Sequence, residues 1–114
     1  MATPDGKVTF EAGGRNRTLQ FTTNRLCLLE DKIDKPTLDI ALELSVSPRM
    51  TTIRAMLWAG LGEGDMTLAS AGEIIDELGK SEAIAFVRDA FAAAFPEKSE
   101  AKEGDANPPV AAAG

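Results

Sequence analysis

The stretch TTIRAMLWAGLGEGDMTLASAGEIIDELG, Thr51–Gly79, decides the fold, because its middle admits two incompatible readings. Glycines at 60, 62 and 64 could cradle a phosphate between a strand and a helix, which would make the chain α/β. They could instead join two helices. A dinucleotide fingerprint needs a glycine where Asp65 stands, and a phosphate loop ends in Gly-Lys-Ser/Thr, which is absent here. Glu63 and Asp65 would repel a phosphate, and two acidic residues fall far short of a calcium loop. Ile53, Met56, Leu57 and Leu61 recur at helical intervals before the glycines, so the preceding element is a helix. After them Thr67 caps a second helix with Leu68, Ala71, Ile75 and Leu78 inward and Ile74 at the edge, closed by Gly79 in a left-handed C-terminal cap. The stretch therefore reads as helix, joint, helix, with Gly60 and Gly62 ending the first through their freedom to adopt positive φ.

Working toward the N-terminus, SPRM offers Ser47 as cap and Pro48 as the first residue of the Trp58 helix. Before it, KPTLDIALELS predicts a shorter helix, with Pro36 near its first turn and Thr37 as a competing cap; Leu38, Ala41, Leu42 and Leu44 form the expected buried stripe. TTNRLCLLEDKID predicts another, capped by Thr22, Thr23 or Asn24, with Leu26, Leu29 and Ile33 on one side. KVTFEAGGRNRTLQF reads as a β-hairpin in which Phe10 pairs with Leu19 and Val8 with Phe21, leaving Gly13–Asn16 as the loop.

Toward the C-terminus, SEAIAFVRDAFAAAFP predicts a last helix stopped by Pro96. Ile84, Val87, Phe91 and Phe95 make one stripe, and Phe86, Ala90, Ala93 and Ala94 cover another side. A helix apolar nearly all round is either central to the core or offers a face to a partner. The fold class is thus mainly α: a small bundle of about five helices with an N-terminal β-hairpin. Residues 1–6 form a flexible lead, 7–96 the helical domain, and 97–114 a disordered acidic, then Pro- and Ala-rich tail.

The chemical inventory is thin. The chain has 114 residues and no His, which removes the usual general base and the commonest metal ligand; neither a catalytic residue nor a cofactor or metal site is expected. Cys27 has no partner for a disulfide and reads as a small core or boundary residue. The carboxylate pairs Glu30-Asp31 and Asp76-Glu77 lie on the polar sides of their helices and read as solvated surface. A net charge of −6 without any basic stripe argues against nucleic acid and anionic membranes as partners. No apolar run approaches the roughly 20 residues that span a bilayer, and no secretion signal opens the chain, so a cytoplasmic protein is expected. Trp58 reads as a packing anchor or as part of a partner interface.

The ordered segments VTF, LQFTTNRLCLLEDKI, TTIRAMLWAGL, TLASAGEIIDELG and AFAAAFP, from Lys7 to Pro96, resemble the tail assembly chaperone family of gene transfer agents and siphophage-like tails. The resemblance implies a non-enzymatic protein that binds the tape measure protein and keeps it soluble while tube subunits polymerise, and that is absent from the finished particle. Tail tube subunits or a second copy of the chain are further expected partners. On this reading Phe86, Phe91 and Phe95, with Met56 and Trp58, form the binding or self-association surface. The alternatives are a minor structural tail component retained in the particle, or a small protein-binding adaptor.

Overall fold

Two adjacent glycines set the geometry of the hairpin. Gly13 and Gly14 adopt φ of 65° and 78°, the conformation a two-residue primed turn demands. In the computed structural model, which describes residues 6–95, they join β1 (Val8–Ala12) to β2 (Arg15–Leu19). The strands are antiparallel, with Val8 opposite Leu19, Phe10 opposite Arg17 and Ala12 opposite Arg15. This register is shifted by two residues from the expected pairing of Phe10 with Leu19, because the glycines close a tighter turn than Gly13–Asn16. Face parity survives a shift of two. Val8, Phe10, Ala12 and Leu19 therefore still share the buried side, and Arg17 folds over Ala12, its Nε donating to the Ala12 carbonyl at 2.9 Å.

The described residues hold five helices: α1 (Thr23–Ile33), α2 (Thr37–Val46), α3 (Met50–Leu61), α4 (Leu68–Leu78) and α5 (Lys80–Ala93). The bundle with its hairpin is the fold that the hydrophobic spacing predicts. The expected tail, Pro96 and the first five residues lie outside the described residues. Thr22 caps α1 and Thr67 caps α4, each side chain accepting from a backbone N–H three residues on. Leu29 is fully buried in α1, with Leu26 and Ile33 packed beside it.

The central element is α3. Thr52, Ile53, Ala55, Met56, Leu57, Ala59, Gly60 and Leu61 are all buried, and α1, α4, α5 and β2 pack around them. Small residues at 55, 59 and 60 let those neighbours approach closely. The second apolar side of α5 is covered by the hairpin. Phe86 stacks on Phe10 with centroids 5.1 Å apart, and Phe91 meets Phe21 edge-on at 5.6 Å. Ala83, Val87, Ala90 and Phe91 are buried, so α5 belongs to the core.

Three expected boundaries differ. α3 starts at Met50 rather than after Ser47, which instead closes α2. Glu43 explains the change: its carboxylate accepts from the Arg49 backbone N–H at 2.7 Å and from Lys35 Nζ at 2.7 Å, holding the chain extended through Pro48. The α2 start is capped by a neighbour rather than by Thr37 itself, since Glu30 Oε2 accepts from both the Thr37 N–H and its hydroxyl. Gly79 has positive φ but an extended ψ of 142°, so it ends α4 and starts α5 without the expected left-handed cap.

Glu43 is also an acid-sensitive joint. Its side chain is only 11% exposed, and the Arg49 guanidinium, then the Arg49 N–H, Lys35 and Thr52, hold its carboxyl far below the ordinary 4.5 despite the opposing cost of burial. A carboxylate whose pKa is depressed on folding stabilises the fold above the unfolded value and loses that contribution as pH falls below it. Thermal stability should hold down to about pH 4.5 on this account and then decline. The Glu43→Gln variant should lose about 1–2 kcal/mol at neutral pH and flatten the acid decline; the figure is kept low because Arg49 is 61% exposed and solvent-screened. Melting curves of both proteins across that range check it.

Candidate partner-binding surface

Five residues were expected to share a binding surface, and the fold separates them. Met56 is completely buried and Phe91 is 5% exposed, so neither offers contact area to a partner in this conformation. Both sit on stripes facing the centre, Met56 because α3 is enclosed on nearly every side and Phe91 because Phe21 covers it. Phe86 is half-buried on Phe10, and Phe95 lies edge-on to Phe91 at 5.3 Å. Trp58 is also half-buried; its Nε1 donates to the Met66 carbonyl at 3.0 Å, and Lys32 Nζ sits 4.9 Å from its ring. That ring braces the α3–α4 joint, with a cation on its outer face.

The most exposed large apolar side chains among the described residues lie instead on α2. Leu38, Leu42 and Val46 are 70%, 65% and 80% exposed, and their i, i+4, i+8 spacing aligns them in one row. The buried residues of α2 are Ile40 and Leu44, on the opposite side. This corrects the expected stripe, which placed Leu38 and Leu42 inward. The cause is an ambiguity in the residues themselves. Apolar side chains at 38, 40, 42, 44 and 46 stand about 200° apart on a helix, forming two opposed rows, and spacing alone does not say which row faces in.

Beside the row, the junction of α2 with α5 leaves a largely apolar groove of about 260 Å³, lined by Ala41, Leu44, Ser45, Phe91 and Ala92. Arg88 closes one side by donating Nε and Nη2 to the Leu44 carbonyl at 3.2 and 3.0 Å. That bond satisfies one of the last carbonyls of α2 and locks α2 onto α5. A ridge of three large side chains next to a shallow, largely apolar groove is the relief on which another helix can pack.

The joint after Trp58 is structural. Gly60 lies inside α3 and does not end it; Gly62, with φ 63°, is the cap. The Glu63 carboxylate accepts from Arg15 Nη2 at 2.7 Å and Arg17 Nη1 at 2.6 Å, tying the joint to β2. Two more expected surface carboxylates have structural work: Glu30 caps α2, and Glu77 Oε1 accepts from the Gly13 N–H at 2.9 Å, holding the hairpin turn on α4. Cys27 is exposed on α1, on the side turned away from Leu29, which corrects its placement in or beside the core. Among the described residues no group of three or more His, Cys, Asp or Glu side chains could hold a metal ion, and no helix is long and apolar enough to cross a membrane. No family model, curated protein or solved structure matches this chain.

Proposed function

We propose that this chain is a tail assembly chaperone of a phage-type particle, which binds the tape measure protein and keeps it soluble while the tail tube forms. The observation that carries the reading is the Leu38, Leu42, Val46 row, a contiguous apolar ridge on a small acidic domain. Isolated exposed leucines are ordinary, whereas an aligned row of three marks a surface that is covered by something else. A helical row packs best against another amphipathic helix, the form in which a long, hydrophobically patterned client would present itself. Net negative charge keeps chaperone and client apart from other assemblies until the tube subunits displace it. The order of segments resembling the family, from Lys7 to Pro96, gives the client its name.

The binding surface on this reading is α2, with Phe95 and Trp58 at most peripheral. Co-expression with the tape measure protein should raise the soluble fraction of that protein, and a Leu38→Lys/Leu42→Lys variant should abolish the gain. Both positions are mostly exposed, so the variant should keep its own stability to within about 0.5 kcal/mol. A tape measure protein equally soluble without this chain would remove the chaperone reading. Normal client binding by the double variant would move the surface away from α2.

A further inference from the structure

α2 carries apolar side chains on two opposite sides, and the domain covers only one of them. Ile40 and Leu44 are buried, whereas the Leu38, Leu42, Val46 row stays mostly exposed. Beside the row, Ala41, Ser45 and Ala92 border the largely apolar groove between α2 and α5. Apolar surface left in water is the unfavourable state, so an apolar segment held close to the row is drawn onto it.

The chain itself supplies such a segment. α5 ends at Ala93, and Ala92 in its last turn lines the groove, so the polypeptide leaves the domain beside the row. Residues 97–107, EKSEAKEGDAN, include six charged side chains and no large apolar one. PPVAAA follows at 108–113, the longest apolar run outside the described residues. The twelve residues 96–107 span at most about 40 Å, well beyond the roughly 15 Å length of α2, so the run reaches every part of the row.

We propose that residues 108–113 of the same chain lie on the α2 row and in the adjoining groove, and that a client reaches the row by displacing them. The displacement rests on the reading of α2 as the client surface; the docking itself does not. Area decides against a second copy as the occupant. Three exposed side chains beside a shallow groove make a patch well below the roughly 800 Å² per partner of a standard interface. A tethered segment is present at an effective concentration in the millimolar range, so a contact too small for a dimer suffices within one chain. Pro108 and Pro109 have φ fixed by their rings, which lowers the entropy lost on docking. Val110 and the alanines after it are narrow enough to enter a shallow groove.

The test is paramagnetic broadening in the full ¹⁵N-labelled chain, with a nitroxide on the single cysteine of a Cys27→Ser/Ala106→Cys variant; Cys27 is exposed and would otherwise take the label. Docking should broaden the Leu38, Leu42, Val46 and Ala92 amides. Adding Val110→Asp, which keeps the tether, should cut that broadening at least about threefold, because losing a buried valine lowers the docked population. Nitroxide-bearing chain without ¹⁵N, mixed with ¹⁵N chain without nitroxide, should broaden nothing, since the contact lies within one chain. Equal broadening with and without Val110→Asp reports only the nearness of the tether and overturns the docking. Broadening in the mixture overturns it too, by assigning the row to a second copy. A chain shortened after Asn107 should bind the tape measure protein about threefold to tenfold more tightly, because a site free for only a fraction of the time loses affinity by that fraction. Equal binding by the whole and shortened chains overturns the displacement and leaves the chaperone reading standing. No binding by either, with the docking signal present, removes the chaperone reading and leaves the docking.

Discussion

Gly60→Ala is expected to destabilise this protein by about 1–3 kcal/mol, although the same change inside an ordinary helix would stabilise it by up to about 1 kcal/mol. Gly60 has helical φ and sits within α3, so backbone strain is not the reason. The reason is proximity. A Cβ at this position would lie 2.5 Å from Leu19 Cδ1 and 3.1 Å from two atoms of the Phe21 ring. Leu19 is fully buried and Phe21 is 5% exposed, so neither has room to withdraw. The backbone is pinned there as well: the Gln20 N–H donates to the Gly60 carbonyl at 2.9 Å, and Arg25 Nη1 donates to the same oxygen at 3.1 Å. Pushing the hairpin exit off α3 would strain both bonds. Gly60→Val adds two methyl groups to the clash and should cost more than the alanine. Urea unfolding of the three proteins checks the order, and a Gly60→Ala variant more stable than the natural protein would show that the hairpin does not rest on this glycine.

The contrast with Gly62 shows what the sequence can and cannot carry. Both glycines were expected to end a helix through positive φ, and Gly62 does so. Gly60 is required for a different reason, the approach of a hairpin more than thirty residues earlier, and no local pattern announces a contact of that range. The same division runs through the fold. Caps at Thr22 and Thr67 and the inward stripe of α3 are local consequences of residue type, and each was legible; glycines 13 and 14 marked the hairpin turn but not its two-residue length. Where two local solutions are nearly equal, tertiary contacts choose. Ser47-Pro48 is a sound helix start, yet the Glu43 carboxylate takes the Arg49 N–H and moves the start to Met50. In α2 the two opposed apolar rows were equivalent until Arg88 fixed the Leu44 side against α5.

That last choice also explains why the exposed apolar row of α2 was not legible in the sequence. α5 looked over-supplied with apolar side chains only because its partners are far away in the chain: Phe10 covers Phe86 and Phe21 covers Phe91. α2 looked balanced, since two of its five large apolar side chains, Ile40 and Leu44, suffice for a core. Surplus apolar surface is a property of the assembled domain, the difference between what an element carries and what its neighbours cover. Reading it needs the hairpin register and the packing of α2, neither of which periodicity supplies.

The position that separates core from surface most sharply is Met56. It stands at the middle of α3, is 0% exposed, and belongs to the single cluster that joins hairpin and bundle. Met56→Ala removes a long side chain from a site enclosed on all sides and should cost about 2–5 kcal/mol, a large part of the 5–15 kcal/mol that holds a typical domain together. Met56→Leu, which nearly preserves volume, should cost less than about 1.5 kcal/mol. Leu42→Ala removes nearly as much from a side chain 65% exposed on α2 and should change stability by no more than about 0.5 kcal/mol. Client solubilisation, measured at a temperature where every variant remains folded, should run the other way: intact in Met56→Ala and lost when the α2 row is made cationic. A stable Met56→Ala protein that had lost its client would place Met56 on the interface and require α3 to open on binding. A large stability loss with binding preserved would leave α3 as the post around which the domain is built, and α2 as the face it presents.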